Sequence, residues 1–444
     1  MKEYPKVLLL CDFNQSESNG ITIKNLFQHW PSDKIAVADF SSEIHEIYTK
    51  NINKYYTFGN QEYDYLFPFN SLVSAPKSKE YFLTKGFKPE TKEKRSAVKY
   101  NLAFKLASLF YSFQIRLIKS TGIAYILKKF RISSKFDRWF LEFDPDVLYA
   151  RTASISEMNF IIKLRKHYNR PLIFHVFDDF INCSQAQVFS FLTSYWSKRL
   201  NETYRRMLKH TTIDLVISNK MADEYKEKYN KIFYVFHNPI NEKVWIESNQ
   251  QQENKSKHDP FVFLYAGKIN KDTAPALKYF LNVVEEMNYC GYNIQLNIYT
   301  QSSYELVYSY MGKLTDGCFR GFINNKHMPR IVKNSDALLL PLSFDKKSIK
   351  YTRLSIATKA TEYMASGKPI FLFAPRDLAV TEYLESHNSA YIVCDQGNLH
   401  NAVSEFINNN GLRERIALNA FQRAIQFHSS KLISESLRKL LTPN

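Results

Sequence analysis

The sequence predicts an α/β protein with two Rossmann-like domains, each built on a parallel sheet with helices on both faces. Its 444 residues are too many for one ordinary hydrophobic core, which favours two domains of roughly 200 residues. Short apolar runs typical of buried strands alternate with segments of helical period along both halves. Residues 247–260 contain no large apolar side chain and mark a linker between the halves.

The domain limits follow from these observations. We expect an N-terminal domain at 1–240, a linker at 241–260, a C-terminal domain at 261–425 and a last helix at 426–444. Strands are predicted at Val7–Cys11 and Ile35–Asp39 in the first domain, with a polar loop from Asp12 and a helix from near Ile21. The remaining strands are predicted at 146–150, 171–180, 214–219, 233–240, 261–269, 294–299, 336–341 and 369–373.

Composition restricts the class of protein. Hydrophobic residues make up 45% and charged residues 23%, as in globular proteins that fold in water. No apolar run is long enough to span a bilayer, and Val7–Leu10 is too short for the core of a secretory signal. The five scattered cysteines show no metal-ligand spacing and are expected to be reduced core thiols. We therefore expect a cytoplasmic protein without a bound metal or other cofactor.

The net charge of +17 predicts an anionic partner. Much of the excess lies in 85–138, where lysines and arginines alternate with aliphatic and aromatic side chains. Helices with one basic and one apolar face would lie on an anionic membrane surface, which suggests a peripheral location on the inner face of the plasma membrane. A helix pair packed on the core with a solvated outer face fits the same pattern. The aromatic residues do not follow a nucleic-acid-binding pattern, so no nucleic-acid partner is expected.

The segment that carries most chemical information is 355–370, which reads as a short helix followed by a buried strand. Thr358 is predicted to cap the helix, and Gly367 suits the left-handed position after its last turn. Lys359 and Glu362 share the outer face. Free amides and a lysine at a helix start favour an anion such as a diphosphate, and a carboxylate one turn later suits the hydroxyls of a ribose. An exposed ion pair is the alternative.

The run Thr-Lys-x-x-Glu-Tyr-Met-Ala-Ser-Gly-Lys-Pro-Ile at 358–370 resembles the nucleotide-binding segment of retaining GT-B glycosyltransferases, in particular glycosyltransferase family 4. The resemblance implies two Rossmann-like domains that face each other across a cleft, and a last helix, at 426–444, that packs back on the first domain. It also implies that Glu362 holds the ribose of a nucleotide-sugar and that the amides before the helix hold its diphosphate. These enzymes bind the leaving diphosphate with amides and cations, which agrees with the lack of metal-ligand motifs.

Further site residues follow from the same resemblance. In the second domain it implies that Lys268 and Lys271 reach the donor phosphates, and that the backbone near Ile323 contacts the base. In the first domain it places Asn19 and Gly20 between donor and acceptor. The first of the family's two glutamates falls on Leu354, with Ser355 as a polar candidate nearby, which puts the donor identity in doubt.

Asp178 and Asp179 end a predicted strand and form a further candidate site. Adjacent carboxylates at a strand end would orient a sugar hydroxyl or act as a base, although they would also cap the next segment. The family usually has His-Asp there, close to the acceptor. Asp178 matches the aspartate, while His175 lies two residues before the expected histidine position and shares a strand face with Phe177, as a core histidine would.

Together these residues predict a glycosyltransferase that moves a sugar from a nucleotide-sugar to a lipid-linked or polysaccharide acceptor with retention of configuration. Asp178 and Lys268 are the expected catalytic residues. A nucleotide-sugar epimerase of the same fold and a non-catalytic nucleotide- or sugar-binding protein are the alternatives, and Leu354 keeps the second of these open.

Overall fold

A computed structural model describes residues 4–13, 18–41, 52–67, 70, 74–82, 121–181, 190–242, 244–245, 259–324 and 327–442. The chain divides into two compact units. The first comprises residues 1–216, 222–235 and 434–444, and the second comprises 217–221 and 236–433. Most of the predicted linker and the greater part of the basic segment 85–138 lie outside the described residues, as does Cys183.

The first unit is built on an eight-stranded sheet in the order β10-β9-β8-β7-β1-β2-β3-β5, and a separate antiparallel pair joins β4 to β6. All neighbours in the large sheet are parallel except β3 and β5. Its strands are β1 (Val7–Cys11), β2 (Ile35–Asp39), β3 (Lys54–Thr57), β5 (Lys79–Phe82), β7 (Val147–Ala150), β8 (Leu172–Val176), β9 (Ile213–Val216) and β10 (Tyr234–Val235), while the pair is β4 (Tyr63–Tyr65) and β6 (Lys128–Phe130).

The helices of the first unit connect these parallel strands. They are α1 (Ser18–Leu26), α2 (Ser134–Phe143), α3 (Ile155–Tyr168) and α4 (Ser190–Leu208), followed by α5 (Asn219–Tyr229) where the chain passes between the units. Helix α2 contains the end of the basic segment and buries Phe136, Trp139 and Phe140 in the core. The described end of that segment therefore packs on its own domain, and the membrane prediction for the rest lies outside the described residues.

The second unit contains a five-stranded, all-parallel sheet in the order β12-β11-β13-β14-β15. Its strands are β11 (Phe261–Ala266), β12 (Ile294–Tyr299), β13 (Ala337–Pro341), β14 (Ile370–Phe373) and β15 (Tyr391–Val393). Its helices are α6 (Ala274–Tyr289), α7 (Tyr304–Met311), α8 (Leu314–Cys318), α9 (Met328–Lys333), α10 (Lys346–Thr352), α11 (Thr358–Ala365), α12 (Ala379–Ser386), α13 (Leu399–Asn408) and α14 (Asn410–Phe427). The last helix, α15 (Ser430–Leu441), passes from the second unit into the first.

The strand sequences explain these sheets. Central strands β1, β13 and β14 are buried along their whole length, because helices cover both faces of a parallel sheet. Each fully buried aliphatic side chain adds about 1.5–3 kcal/mol to the drive for folding. The predicted two-domain α/β architecture is confirmed.

Three local predictions differ from the structure. Helix α1 begins at Ser18 rather than near Ile21, so Asn19 and Gly20 lie in its first turn and not in the loop. The final helix begins at Ser430 instead of residue 426. Cys11 and Cys318 are buried thiols as expected, but Cys290 is exposed.

A histidine pair, the buried His428 and the half-buried His237, lies in the second unit, where residues 236–240 run beside residues 428–430. The main-chain amide of Ile240 donates to the His428 carbonyl at 2.8 Å. The centres of the His237 and His428 rings lie 5.3 Å apart, and Nδ1 of His237 donates to the Ile217 carbonyl at 2.9 Å. The Tyr383 hydroxyl bonds His428 Nε2 at 2.7 Å. Burial lowers the pKa of His237 to about 4, and burial followed by the charge of His237 lowers that of His428.

This pair predicts that stability falls in weak acid. The unfolded chain takes up these protons near the ordinary pKa of 6.5, whereas His237 resists protonation down to about 4. Stability is therefore complete above about pH 6.5 and is lost progressively toward pH 4, by roughly 3 kcal/mol for His237. Denaturant unfolding of the wild type and His237→Gln at several pH values measures this slope. The slope should flatten in His237→Gln but not in His400→Gln, which changes an exposed histidine.

Candidate functional site

The second sheet has a topological switch point between β11 and β13. The strand that follows β11 in the chain, β12, lies on one side of it, whereas β13, β14 and β15 lie on the other. Open α/β sheets bind ligands at the carboxyl ends of the strands beside such a switch point. The segment 267–273 follows β11 at this edge, and residues 342–357 lead from β13 to the start of helix α11. The 358–370 segment predicted to bind a nucleotide therefore starts at this edge.

Lys359 is held against the end of β11. Its Nζ donates to the Tyr265 hydroxyl at 3.0 Å and lies 4.3 Å from the centre of the Tyr265 ring. The Tyr265 hydroxyl in turn donates to the Lys268 carbonyl at 2.7 Å. A Cβ built on Gly267 would clash with Lys359 Nζ, so the lysine occupies the space that a side chain at Gly267 would need. This packing fixes a cation at the carboxyl edge of the sheet.

Glu362 lies one turn further along the same helix. Burial raises the pKa of its carboxyl to about 7, and the nearby charge of Lys359 opposes this rise. In the described part of the chain, this carboxyl has no hydrogen-bond or ion-pair partner. The exposed Lys359–Glu362 ion pair considered as an alternative is therefore absent, since the lysine bonds Tyr265. A desolvated acid without a partner is costly for folding and typical of a binding or catalytic site.

The start of α11 presents free backbone donors. Ala357 occupies the N-cap position in an extended conformation, and no side chain caps the helix. The prediction that Thr358 caps it is wrong, because Thr358 is already the first helical residue. The Ala360 amide bonds the Ala357 carbonyl at 2.9 Å, while the amides of Thr358 and Lys359 have no acceptor among the described residues. Two amides beside an ammonium form an arrangement that suits a phosphate.

The rest of α11 follows its sequence pattern. Ala360, Tyr363 and Met364 are buried, and the helix packs on Ala420 and Ala424 of α14. Gly367 has a φ of 69°, which is the left-handed conformation predicted after the helix end. These contacts orient the other face, with Lys359 and Glu362, away from the core.

The loop after β11 carries two further cations. Lys268 and Lys271 are exposed. Between them the Asn270 side chain accepts from the Asp272 amide at 2.9 Å, and the Ser343 amide donates to the Asp272 carbonyl at 2.9 Å. The loop is thus attached to the segment after β13, so both lysines lie at the same sheet edge as Lys359.

The segment before α11 is fixed by two side chains from the start of the second unit. The Ser218 hydroxyl donates to the Leu354 carbonyl at 2.6 Å, and the Asn238 amide donates to the Ile356 carbonyl at 2.7 Å. Leu354, where the family has its first glutamate, is a core side chain with 1% exposure. Ser355 is half-buried beside it.

The predicted base-binding segment runs beside the end of β12. The Thr300 amide bonds the Gly321 carbonyl at 2.9 Å, and the Arg320 amide bonds the Ile298 carbonyl at 2.9 Å. Gly321 has a φ of 76°, a conformation that favours glycine. Ile323 follows this turn and is half-buried. The segment is therefore anchored by its backbone, as a segment that presents main-chain groups to a base would be.

The first-unit candidates separate into two environments. Asp178 is 43% exposed at the carboxyl end of β8, with one oxygen 3.9 Å from the Arg151 guanidinium. Asp179 is buried and accepts from the Tyr225 hydroxyl at 2.8 Å. His175 is fully buried, and its Nδ1 bonds the Tyr149 hydroxyl at 2.6 Å. Asp178 is thus the accessible member of this group, while His175 has the surroundings of a core histidine.

Sequence reasoning missed two acids with raised pKa values at the same edge of the first sheet, the buried Asp39 and the half-buried Glu157. Asp39 ends β2, and burial raises its pKa to about 6 although the Tyr55 hydroxyl donates to it. Burial and then the charge of Asp12 raise the pKa of Glu157 to about 7. The Ser154 hydroxyl caps the Glu157 amide at 3.4 Å, so Ser-x-x-Glu was a detectable helix-start signal. The closeness of Asp12 to Glu157 depends on adjacent strands and has no sequence signal.

Metal ligation has no candidate in the described residues, where no group of three or more histidine, cysteine or acidic side chains is arranged to hold an ion. Within the same residues, no helix is both long and apolar enough to cross a membrane.

No protein-family model matches the sequence, and no curated protein matches it. Solved structures do resemble it over nearly its whole length. Sucrose-phosphate synthase from Thermosynechococcus elongatus has a TM-score of 0.60 at 11% identity, with 98% of both chains covered. HepE from Anabaena, in complex with UDP and glucose, has a TM-score of 0.60 at 12% identity, with 99% of both chains covered.

The trehalose 6-phosphate synthase from Burkholderia multivorans is also similar, with a TM-score of 0.57 at 9% identity over 99% of this chain and 96% of that one. These structural neighbours are GT-B glycosyltransferases. At such low sequence identity, the structural similarity shows a common fold alone. The chain has the GT-B fold that the 358–370 segment predicted.

Proposed function

We propose that the protein is a glycosyltransferase that takes a sugar from a nucleotide-sugar donor. The observation that carries the proposal is the combination of Lys359, the free amides of Thr358 and Lys359, and the unpartnered Glu362 on one helix at the switch point of the second sheet. A nucleoside diphosphate satisfies all of these groups at once, since its phosphates meet the amides and the cation while its ribose hydroxyls meet the carboxylate.

The donor half of the mechanism rests on charge. Departure of the sugar leaves negative charge on the diphosphate, and donors already fixed in position stabilise it without reorganisation. Lys359 is such a donor, because Tyr265 holds it in place. Lys268 and Lys271, on the neighbouring loop, add two cations. In this proposal Lys268 acts on the leaving group, and the backbone near Ile323 contacts the base.

The acceptor half is assigned to the first unit. Asp178 is an exposed carboxylate beside Arg151 and can accept a hydrogen bond from the attacking hydroxyl. Asn19 and Gly20, in the first turn of α1, remain proposed acceptor contacts. Retention of configuration, a lipid-linked or polysaccharide acceptor and a position on the inner face of a membrane are further parts of the proposal. They rest on the family resemblance and on the basic segment.

A panel of nucleoside diphosphates and nucleotide-sugars tests the function. UDP and UDP-glucose come first, because HepE is solved with both. Thermal stabilisation by a nucleoside diphosphate, followed by product formation with lipid-linked and oligosaccharide acceptors, is the expected result. Isomerisation of the donor without an acceptor would indicate an epimerase instead. Binding without any turnover would indicate a non-catalytic protein. This second candidate is favoured by the buried Leu354, which stands where the family has its first glutamate.

The pKa of Glu362 predicts a pH dependence of nucleotide affinity. Only the ionised carboxylate accepts both ribose hydroxyls, so affinity for the matching nucleotide-sugar should be constant above about pH 7 and fall below it. The fall should approach tenfold per pH unit, since one pKa unit corresponds to about 1.4 kcal/mol. Calorimetric titration with the nucleotide-sugar is preferred, because its diphosphate does not titrate in this range.

Glu362→Gln should weaken binding at high pH and remove the pH dependence, whereas Glu286→Gln, on an exposed face of α6, should behave as the wild type. A 2′,3′-dideoxy analogue should bind the wild type without pH dependence. Unchanged affinity in Glu362→Gln would show that the ribose is bound elsewhere.

Gly267→Ala tests the position of Lys359. The new methyl group collides with the ammonium and displaces it, so affinity for the nucleoside diphosphate should fall by about tenfold while affinity for the free nucleoside stays the same. The ratio of the two dissociation constants isolates the contribution of the phosphates. Gly411→Ala is the matched control, because a Cβ there meets only ordinary contacts. Equal losses for diphosphate and nucleoside would mean that Lys359 does not reach the phosphates.

A further inference from the structure

The first unit contains a basic cavity of about 410 Å³ between helices α3 and α4. Its lining includes Lys163, Lys166, Arg206, Lys209, His210 and Asn159, and no acidic side chain of the described chain lines it. Both helices run from the carboxyl edge of the sheet toward its amino edge, and these residues belong to their second halves or follow them, Asn159 excepted. The basic cavity therefore lies toward the edge opposite the carboxyl ends, where α/β sheets bind their substrates.

No acidic side chain of the described residues balances the charge of the basic cavity, whose four permanent cations are exposed to solvent. Lys163, Lys166 and Lys209 have no hydrogen-bond or ion-pair partner for their ammonium groups within the described residues. The carboxyl ends of two helices contribute about half a negative charge each. With Arg206 the permanent cations number four, so a charge of about +3 remains. Interaction with helix dipoles alone does not account for so many cations.

A second cavity of the first unit contains a lysine whose charge is neutralised by a carboxylate. It also has a volume of about 410 Å³, and its charged lining residues are Asp214, Lys226 and Lys231. There Lys231 Nζ lies 2.5 Å from the Asp214 carboxylate and also donates to the Leu208 carbonyl at 2.7 Å. That cavity pairs one of its two lysines with a carboxylate, whereas no acidic side chain of the described residues lines the basic cavity.

Two further details indicate a formed site. Arg206 is exposed, and its guanidinium donates to the Asn159 side chain at 3.0 Å, which joins α4 to α3. Burial lowers the pKa of His210, and the charges of Lys166, Arg165 and Lys209 lower it further. The positive potential is therefore felt by a side chain inside the basic cavity.

We propose that the basic cavity binds a phosphate or diphosphate group and so anchors the first unit to a phosphate-bearing partner. The excess charge matches a multiply charged anion better than a single carboxylate, and the volume lies within the range of small-molecule sites. The group is carried either by a soluble phosphate compound or by a lipid headgroup. This inference does not depend on the proposed transferase activity, because it concerns the opposite edge of the sheet.

His210 is the reporter for the test. Histidines are labelled with ¹³C at Cε1, the His210 signal is assigned with His210→Gln, and its titration is followed by NMR with and without inorganic pyrophosphate. A bound anion should raise the midpoint of the His210 titration, because it cancels the charge that now lowers the pKa. Flotation with phosphatidylcholine vesicles, with and without phosphatidylglycerol, forms the second arm.

Lys166→Gln/Lys209→Gln should abolish both responses, with at least about a tenfold loss of apparent affinity. The matched control Lys129→Gln/Lys226→Gln removes the same charge from exposed positions outside the basic cavity and should keep them. A pyrophosphate response alone assigns a soluble ligand, and a vesicle response dependent on Lys166 and Lys209 assigns a lipid headgroup. The proposal is overturned if pyrophosphate does not shift the His210 titration and vesicles do not bind, or if both double variants lose binding equally.

Discussion

The contact between the Lys359 ammonium and Tyr265 is the interaction on which the candidate donor site depends. It joins the start of helix α11 to the end of strand β11, and it requires that Gly267 carry no side chain. Because Tyr265 uses its ring face and hydroxyl to hold the ammonium, Lys359 does not neutralise Glu362 by a direct ion pair. The helix therefore keeps a fixed cation and a free, desolvated acid about one turn apart.

Several weak constraints support this arrangement. Ser218 and Asn238 hold the backbone before α11, and Ala420 and Ala424 let the helix approach α14 closely. None of these contacts involves a site residue directly, but together they determine the direction in which the amides at the helix start point. Such preorganisation is what an enzyme needs where charge develops on a leaving group. Leaving Glu362 without a partner costs folding free energy, and the packing of the buried core offsets this cost.

The two units have the same local architecture but different electrostatics. The carboxyl edge of the second sheet presents cations, whereas that of the first sheet holds Asp39, Glu157 and Asp178 beside Arg151. In the proposed function, the diphosphate of the donor would lie at the cationic edge and the hydroxyl group of the acceptor at the acidic edge. The basic cavity adds a third environment, toward the amino edge of the first sheet, where three lysines have no partner among the described residues.

The sequence by itself determined the α/β class, the two-domain division, and the helix and strand at 358–373, because hydrophobic period, glycine and proline act over a few residues. It also singled out Lys359 and Glu362 as candidate nucleotide-binding residues, because both belong to one local motif. Only the tertiary structure decided that Lys359 bonds Tyr265, that Leu354 is a core residue, and that Asp12 affects Glu157. These facts depend on strands distant in the chain, and burial, which sets the pKa of each acid, is a property of the packed fold.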